Sequence, residues 1–281
     1  MRSVQVGAME IWPLSDGTFR LDGGAMFGVV PKTLWAPRVA VDADNRIPLG
    51  LTPLLVRTGG KNVLIDAGIG DKLSPKARTI YCVDQKMSLD RSLAAIGLGA
   101  DDIDVVLATH LHFDHAGGFT RMIDGRPVPR FRRARHLIRR GEWDDAMAPN
   151  ERTRASYQPD NYAPLAEASL VDFIDADGEV LPGISVWRTG GHTPHHQVVR
   201  FDSEGRTGLF LADLVPTAAH LPDAWGMGYD LAPLETMVAK KHWLRMAVDG
   251  EYVIFFEHDP AIQAGRIIVV DGTRRVEPLP D

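Results

Sequence analysis

The chain has 281 residues, 44% hydrophobic and 24% charged, a balance that fits a globular protein and excludes a disordered one. Its 31 Lys and Arg face 37 Asp and Glu, a net charge of −6, so nucleic acid is not an expected partner. Cys82 is the only cysteine, which excludes an internal disulfide and a Cys-rich metal site, whereas the ten histidines are clustered.

No apolar run approaches the roughly 20 residues of a membrane helix. Residues 1–6 lack the hydrophobic stretch of a signal peptide. The expectation is therefore no membrane partner and a cytoplasmic location.

In chain order, residues 53–56 and 62–65, joined by Gly59-Gly60, predict a hairpin. Leu89, Leu93 and Ile96 recur at helical spacing, with Ser88 placed to cap the helix and Gly97 to stop it. Residues 105–108 form a continuous apolar run, suited to a strand buried on both faces. Further strands are predicted at 184–188, 197–201, 208–211, 252–256 and 267–270. A second helix is predicted over 234–248, with Leu234, Val238, Trp243 and Ala247 on one side.

Strands thus fall into two groups with helices between them. An α/β fold with two packed sheets and outer helices fits this pattern, and so does a single doubly wound sheet. Segments 23–53 and 121–165 read as long loops around a site, because they mix turn residues with apolar side chains such as Met26, Phe27 and Trp35. Neither reads as a linker, so residues 1–281 are expected to form a single domain.

The strongest signal is Thr109-His110-Leu111-His112-Phe113-Asp114-His115-Ala116-Gly117-Gly118, placed directly after the strand at 105–108. An extended backbone points His110 and His112 to the same side. The chain then turns, and Asp114 and His115 face a second point nearby. Gly117-Gly118 is read as allowing tight turning behind them. Three imidazoles and a carboxylate suit zinc or another divalent first-row ion. Three more candidates follow at predicted strand ends: His192 in Gly190-Gly191-His192-Thr193-Pro194, Asp213 after Phe210-Leu211-Ala212, and His258 in Glu257-His258-Asp259-Pro260.

These motifs, in this order, resemble the metallo-β-lactamase fold superfamily. Within it they are most similar to the N-acyl-homoserine lactonase and methyl parathion hydrolase branch. The likeness spans about residues 50–260 and includes Leu64-Ile65-Asp66-Ala67-Gly68, which resembles the family's structural LxDxG element. It implies a four-layer αββα sandwich and two divalent metal ions, zinc first among them. It also implies the ligand sets: His110, His112 and His192 for one ion, Asp114, His115 and His258 for the other, with Asp213 bridging.

The sequence departs from the branch in two places. Where the homoserine lactonases carry a Tyr three residues after the bridging Asp, this chain has Pro216. His195 stands where a Gly is usual. Thr217, His220 and Tyr229 are the candidates to replace the missing donor, and Met26 and Phe27 are candidate substrate walls.

Metal coordination lowers the pKa of water from about 15.7 to about 7. The expected chemistry is therefore attack on a lactone or carboxylic ester by a hydroxide shared between two cations, without a Ser or Cys nucleophile. Asp114 and Asp213 are the candidates for proton handling. Phosphotriester cleavage and β-lactam hydrolysis are alternatives at the same site, and an iron-dependent redox protein on the same fold is the alternative of a different class. The substrate is expected to carry an apolar or acyl group. The apolar loop at 23–53 and the resemblance together point to a homodimer. Arg130, Arg132, Arg133, Arg135, Arg139 and Arg140 are read as a solvated face, and His136 and His196 as buried supports.

Overall fold

The computed structural model describes residues 2–279. The strands are β1 (Val4–Val6), β2 (Met9–Pro13), β3 (Thr18–Asp22), β4 (Arg46–Gly50), β5 (Leu54–Thr58), β6 (Lys61–Ile65), β7 (Val105–Leu107), β8 (Thr120–Ile123), β9 (Arg126–Pro129), β10 (Arg135–Arg139) and β11 (Val171–Ile174) in the first part of the chain. The later part supplies β12 (Gly178–Leu181), β13 (Ile184–Arg188), β14 (Gln197–Ser203), β15 (Arg206–Phe210), β16 (Val253–Phe255), β17 (Ala264–Val270) and β18 (Thr273–Pro278). The helices are α1 (Gly23–Phe27), α2 (Lys32–Trp35), α3 (Pro75–Ile80), α4 (Leu89–Ala95), α5 (Phe113–Ala116), α6 (Arg140–Met147), α7 (Ala163–Glu167) and α8 (Pro233–Asp249). None is long and apolar enough to cross a membrane.

Two seven-stranded sheets carry the fold, in the orders β1-β2-β5-β6-β7-β10-β11 and β12-β13-β14-β15-β16-β17-β18. Their inner faces pack together through Val56, Val63, Ile65 and Leu107 from one sheet and Val186, Val199, Phe201 and Phe255 from the other. The neighbouring residues Leu55, Leu64 and Val106 point the opposite way, onto Leu89, Leu93 and Leu165 of the outer helices. On the far side, Val198, Leu209 and Ile254 pack on Trp243, Leu244 and Ala247 of α8. Successive strand residues face opposite sides, so a strand covered on both faces must be apolar throughout. That is why the runs at 105–108 and 208–211 do not alternate, and the result is an αββα sandwich.

Direction places the site. β6 and β7 run parallel, as do β15 and β16, and β13 is antiparallel to β14, which is antiparallel to β15. The carboxyl ends of β13, β15 and β16 therefore open on one edge of the second sheet, as those of β6 and β7 do on the first.

Three sequence expectations need correction. Segment 23–53 is not an open loop: it holds α1, α2 and β4, and β4 pairs with β3. Phe27 stacks on Trp35 at 5.0 Å, so these side chains form a small core of their own, while Val29 and Leu34 remain exposed. Segment 121–165 likewise holds the β8–β9 hairpin, interior strand β10, α6 and α7. Of the arginines read as a solvated face, Arg132 and Arg133 are exposed, but Arg130 and Arg139 are buried, and Arg130, Arg135, Arg139 and Arg140 pair with Asp90, Asp172, Asp177 and Asp175. In α8, Leu234 and Val238 are exposed, and Thr236 and Lys240 share the buried face with Trp243 and Ala247.

A candidate metal centre at the sheet edges

β7 leads into Thr109 and His110, and His112 takes an extended conformation as the cap of α5. Asp114 and His115 then stand on a single helical turn. The reading of Gly117-Gly118 as a turn is corrected: Gly117 has helical φ of −55°. A Cβ at Gly117 would lie 2.2 Å from the carbonyl oxygen of Ile69, and one at Gly118 2.1 Å from that of Ala67. Close packing against the loop after β6 is what requires glycine.

His192 follows β13, Asp213 follows β15 and His258 follows β16. His110, His112, His192 and Asp213 present nitrogen or oxygen atoms all within 4.8 Å of one another, and Asp114, His115 and His258 form a second such group. All seven residues are buried. The two carboxylate oxygens of Asp213 face different sets. Oδ2 lies 3.0 Å from His192 Nε2 and 3.8 Å from His110 Nε2, and Oδ1 lies 3.3 Å from His115 Nε2 and 3.2 Å from His258 Nε2. A third grouping, Asp66, His115 and Glu257, overlaps the second, but both oxygens of Asp66 are already taken by the backbone N–H and hydroxyl of Thr109.

The donor set fits divalent cations. His192 Nε2 and His112 Nδ1 approach to 3.1 Å, as do His258 Nε2 and His115 Nε2. That matches the edge of about 3.3 Å expected between two nitrogens bound tetrahedrally to zinc. His110 Nε2 is buried without a hydrogen-bonding partner. Burial, reinforced by neighbouring imidazoles, holds His110 and His112 well below the ordinary histidine range, so they are neutral donors. Burial alone would raise the Asp213 carboxyl, but His115, His192 and His258 together hold it well below its usual value. Burial opposes protonation of His192, yet Asp213 and Asp230 bring it up to about 10. Without a cation, protons on these imidazoles have to balance the carboxylate.

The ring nitrogens facing away from the centre are fixed by partners. His115 Nδ1 meets Asp66 at 3.0 Å, His192 Nδ1 meets Asp230 at 3.1 Å and His258 Nδ1 meets the carbonyl of Gly50 at 2.8 Å. His110 Nδ1 meets the Thr109 hydroxyl at 3.1 Å. Such partners set ring orientation and tautomer. Buried Glu142 accepts from Leu111 N, the Tyr157 hydroxyl and the Thr193 hydroxyl, and so fastens the two histidine loops to each other. His196, expected as a support, accepts the backbone N–H of Asp213 at 3.2 Å.

A cavity of about 120 Å³ opens onto His112, Asp114, His192, Asp213 and His258. Its apolar wall comes from Leu21, Met26, Leu49, Phe113 and Met227, with Tyr81 and Tyr229 beside them. Of the five expected substrate residues, only Met26 and Tyr229 line it. Phe27, Thr217 and His220 lie behind the wall: Phe27 stacks on His220 at 4.5 Å, and His220 is held between the Thr217 hydroxyl and the carbonyl of Met26. Sequence reasoning missed Asp230, Glu142, Tyr157 and Tyr81. Only Asp230 carried any signal, as an acid beside Tyr229 in a Gly-rich turn.

The description "Metallo-beta-lactamase superfamily" belongs to the family model that matches residues 50–258. An N-acyl homoserine lactonase from Bacillus sp is 24% identical over 212 residues, 74% of this chain and 76% of the relative. Among solved structures, a probable metal-dependent hydrolase from Staphylococcus aureus superposes with a TM-score of 0.90 at 32% identity, covering 99% of this chain and 100% of that one. AidC, a dizinc quorum-quenching lactonase, superposes at 0.82 with 22% identity over 100% of this chain and 97% of its own. A match over most of the chain, on the fold and histidine cluster described above, makes it a metal-dependent hydrolase that belongs to the metallo-beta-lactamase superfamily.

Proposed function

We propose that the chain is a dinuclear hydrolase that opens a lactone or cleaves a carboxylic ester. His110, His112 and His192 would hold one cation, Asp114, His115 and His258 the other, and Asp213 would serve both. The observation that carries this reading is the division of the Asp213 oxygens between two imidazole sets. When bound, two divalent cations, zinc first, supply Lewis acidity to a carbonyl and acidify water toward neutral pH.

The protein's own residues do the rest. Neutral His110 and His112 donate lone pairs, and Asp66, Asp230 and Gly50 hold the other rings in register. Leu21, Met26, Leu49 and Phe113 receive the apolar or acyl group and keep water from it. The cavity suits a group on the order of a benzene ring in volume. Tyr229 takes the donor role left vacant at Pro216: its phenol lines the cavity and has no partner among the described residues. The names of the lactonase relatives support a lactone as the first substrate to try.

The test is proton release from N-hexanoyl homoserine lactone by metal-loaded protein, with Asp213→Ala as control. Metal-dependent release absent from the variant supports the reading. No release with two metals bound rejects that lactone, and failure on aryl esters as well rejects the ester reading.

A further inference from the structure

A second compartment of about 150 Å³ adjoins the metal-facing cavity and shares His112, Ser156 and Tyr229 with it. Arg152, Thr153, Gly228 and Leu231 complete its walls. The polar side chains of this annex offer protons. Nη2 of Arg152 donates to the carbonyls of Gly228 and Asp230 at 3.0 and 3.3 Å, which fixes the plane of the guanidinium. Its Nε and Nη1, the Ser156 hydroxyl and the Tyr229 phenol have no partner among the described residues. The carboxylates nearest in sequence are engaged elsewhere, Asp230 by His192 and by Met227 N, and Glu151 by Arg154. The carbonyl of Gly228 is already bonded to Arg152.

Unspent donors on Arg152, which is cationic, and on Ser156 thus line a compartment beside an apolar chamber. We propose that the annex binds a carboxylate carried by the substrate, so that the preferred substrate is an anionic ester or lactone. Its apolar part lies in the first chamber and its charged group lies against Arg152 and Ser156, while Tyr229 stands between the two compartments. This rests on the ester and lactone reading of the metal site. Arg152 is exposed, so solvent screens its attraction and the expected preference is modest.

Two aryl esters test it with metal-loaded protein: 4-nitrophenyl hydrogen glutarate, which is anionic, and its neutral methyl ester. The wild type is expected to show a kcat/KM about two- to fivefold higher for the anion, mainly through KM, and this ratio should shrink as salt rises. Arg152→Gln is expected to bring the ratio near one, and Arg152→Lys to restore part of it. A wild-type ratio of one or less overturns the proposal. So does equal loss on both esters in Arg152→Gln, which would mean that Arg152 only braces the Tyr229 loop. A preference that survives in Arg152→Gln also overturns it, because the carboxylate is then going to the metals.

If neither ester is cleaved, the hydrolytic reading fails on its own and the annex is judged by binding. Calorimetry with glutaric acid monoanilide and its methyl ester should show the same preference, lost in Arg152→Gln. Equal binding, or none, overturns the annex.

Discussion

Asp230 Oδ1 lies 3.1 Å from Nδ1 of His192, the ring nitrogen facing away from the metal site, and its other oxygen accepts the backbone N–H of Met227 at 3.1 Å. One buried carboxylate thus orients a metal-facing imidazole and shapes the turn that carries Tyr229 over the cavity. Metal affinity and substrate contact are joined through it. Asp230→Ala is expected to lower metal affinity and kcat/KM by about 10- to 100-fold, and Asp230→Asn by less, because the amide oxygen can still accept from the ring. Metal titration followed by steady-state rates would check this. Wild-type metal affinity in Asp230→Ala would show that His192 is oriented by other contacts.

The bridging role proposed for Asp213 has a sharper consequence. Asp213→Ala removes a side chain that faces both imidazole sets and leaves buried His115, His192 and His258 without their shared counter-charge. Activity is expected to fall by more than about 100-fold, with metal content dropping from two ions toward one. Elemental analysis of the purified variant, beside its rate, reads both. Full turnover with a single ion would end the dinuclear scheme. Chelating both ions from the wild type is expected to lower its melting temperature, because binding to the folded state alone stabilises it.

The strand-end histidines were legible because metal chemistry restricts residue type and spacing so tightly. The continuous apolar run at 105–108 also marked β7 as a strand covered on both sides. Segments 23–53 and 121–165 were misread because their glycines and prolines punctuate elements only four or five residues long, such as α1, α2 and β4, too short to show a period. Leu234 and Val238 failed for a different reason. Packing selected Thr236 and Lys240 for the inner face of α8, and Lys240 is tolerated there because its ammonium donates to the carbonyls of His220, Pro222 and Trp225. Glu142 had no local signature, since its partners come from three distant segments.

Glu142 is nevertheless expected to govern stability. In Glu142→Ala, the donors Leu111 N, Tyr157 Oη and Thr193 Oγ1 stay buried with no acceptor. The cost is expected to be about 3 kcal/mol or more, and metal retention should fall too, because Leu111 lies between two metal-facing histidines. Glu142→Gln keeps one oxygen acceptor and should lose no more than about half as much. Urea denaturation of the metal-loaded variants separates the two cases. An unchanged midpoint in Glu142→Ala would mean that the two loops are fastened by packing alone.

His136 sets a pH limit away from the metal site. It sits fully buried in β10 near Phe119 and Phe131, and the weak pull of the Ala134 and Leu170 backbone does not offset that burial. Burial therefore pushes it down from 6.5 to about 4. Between those values the unfolded chain binds a proton that the folded chain refuses, so stability rises with pH across that window. The contribution is fully present above pH 6.5 and is lost as pH falls to 4, by about 3 kcal/mol at most. His136→Leu removes the titrating ring while keeping an apolar side chain of similar size. The difference in unfolding free energy between wild type and variant is expected to be flat above pH 6.5, to fall steadily below it and to level off near pH 4. Denaturant titrations at half-unit steps would measure that curve, and parallel profiles would show that His136 is protonated in the fold as readily as in the unfolded chain.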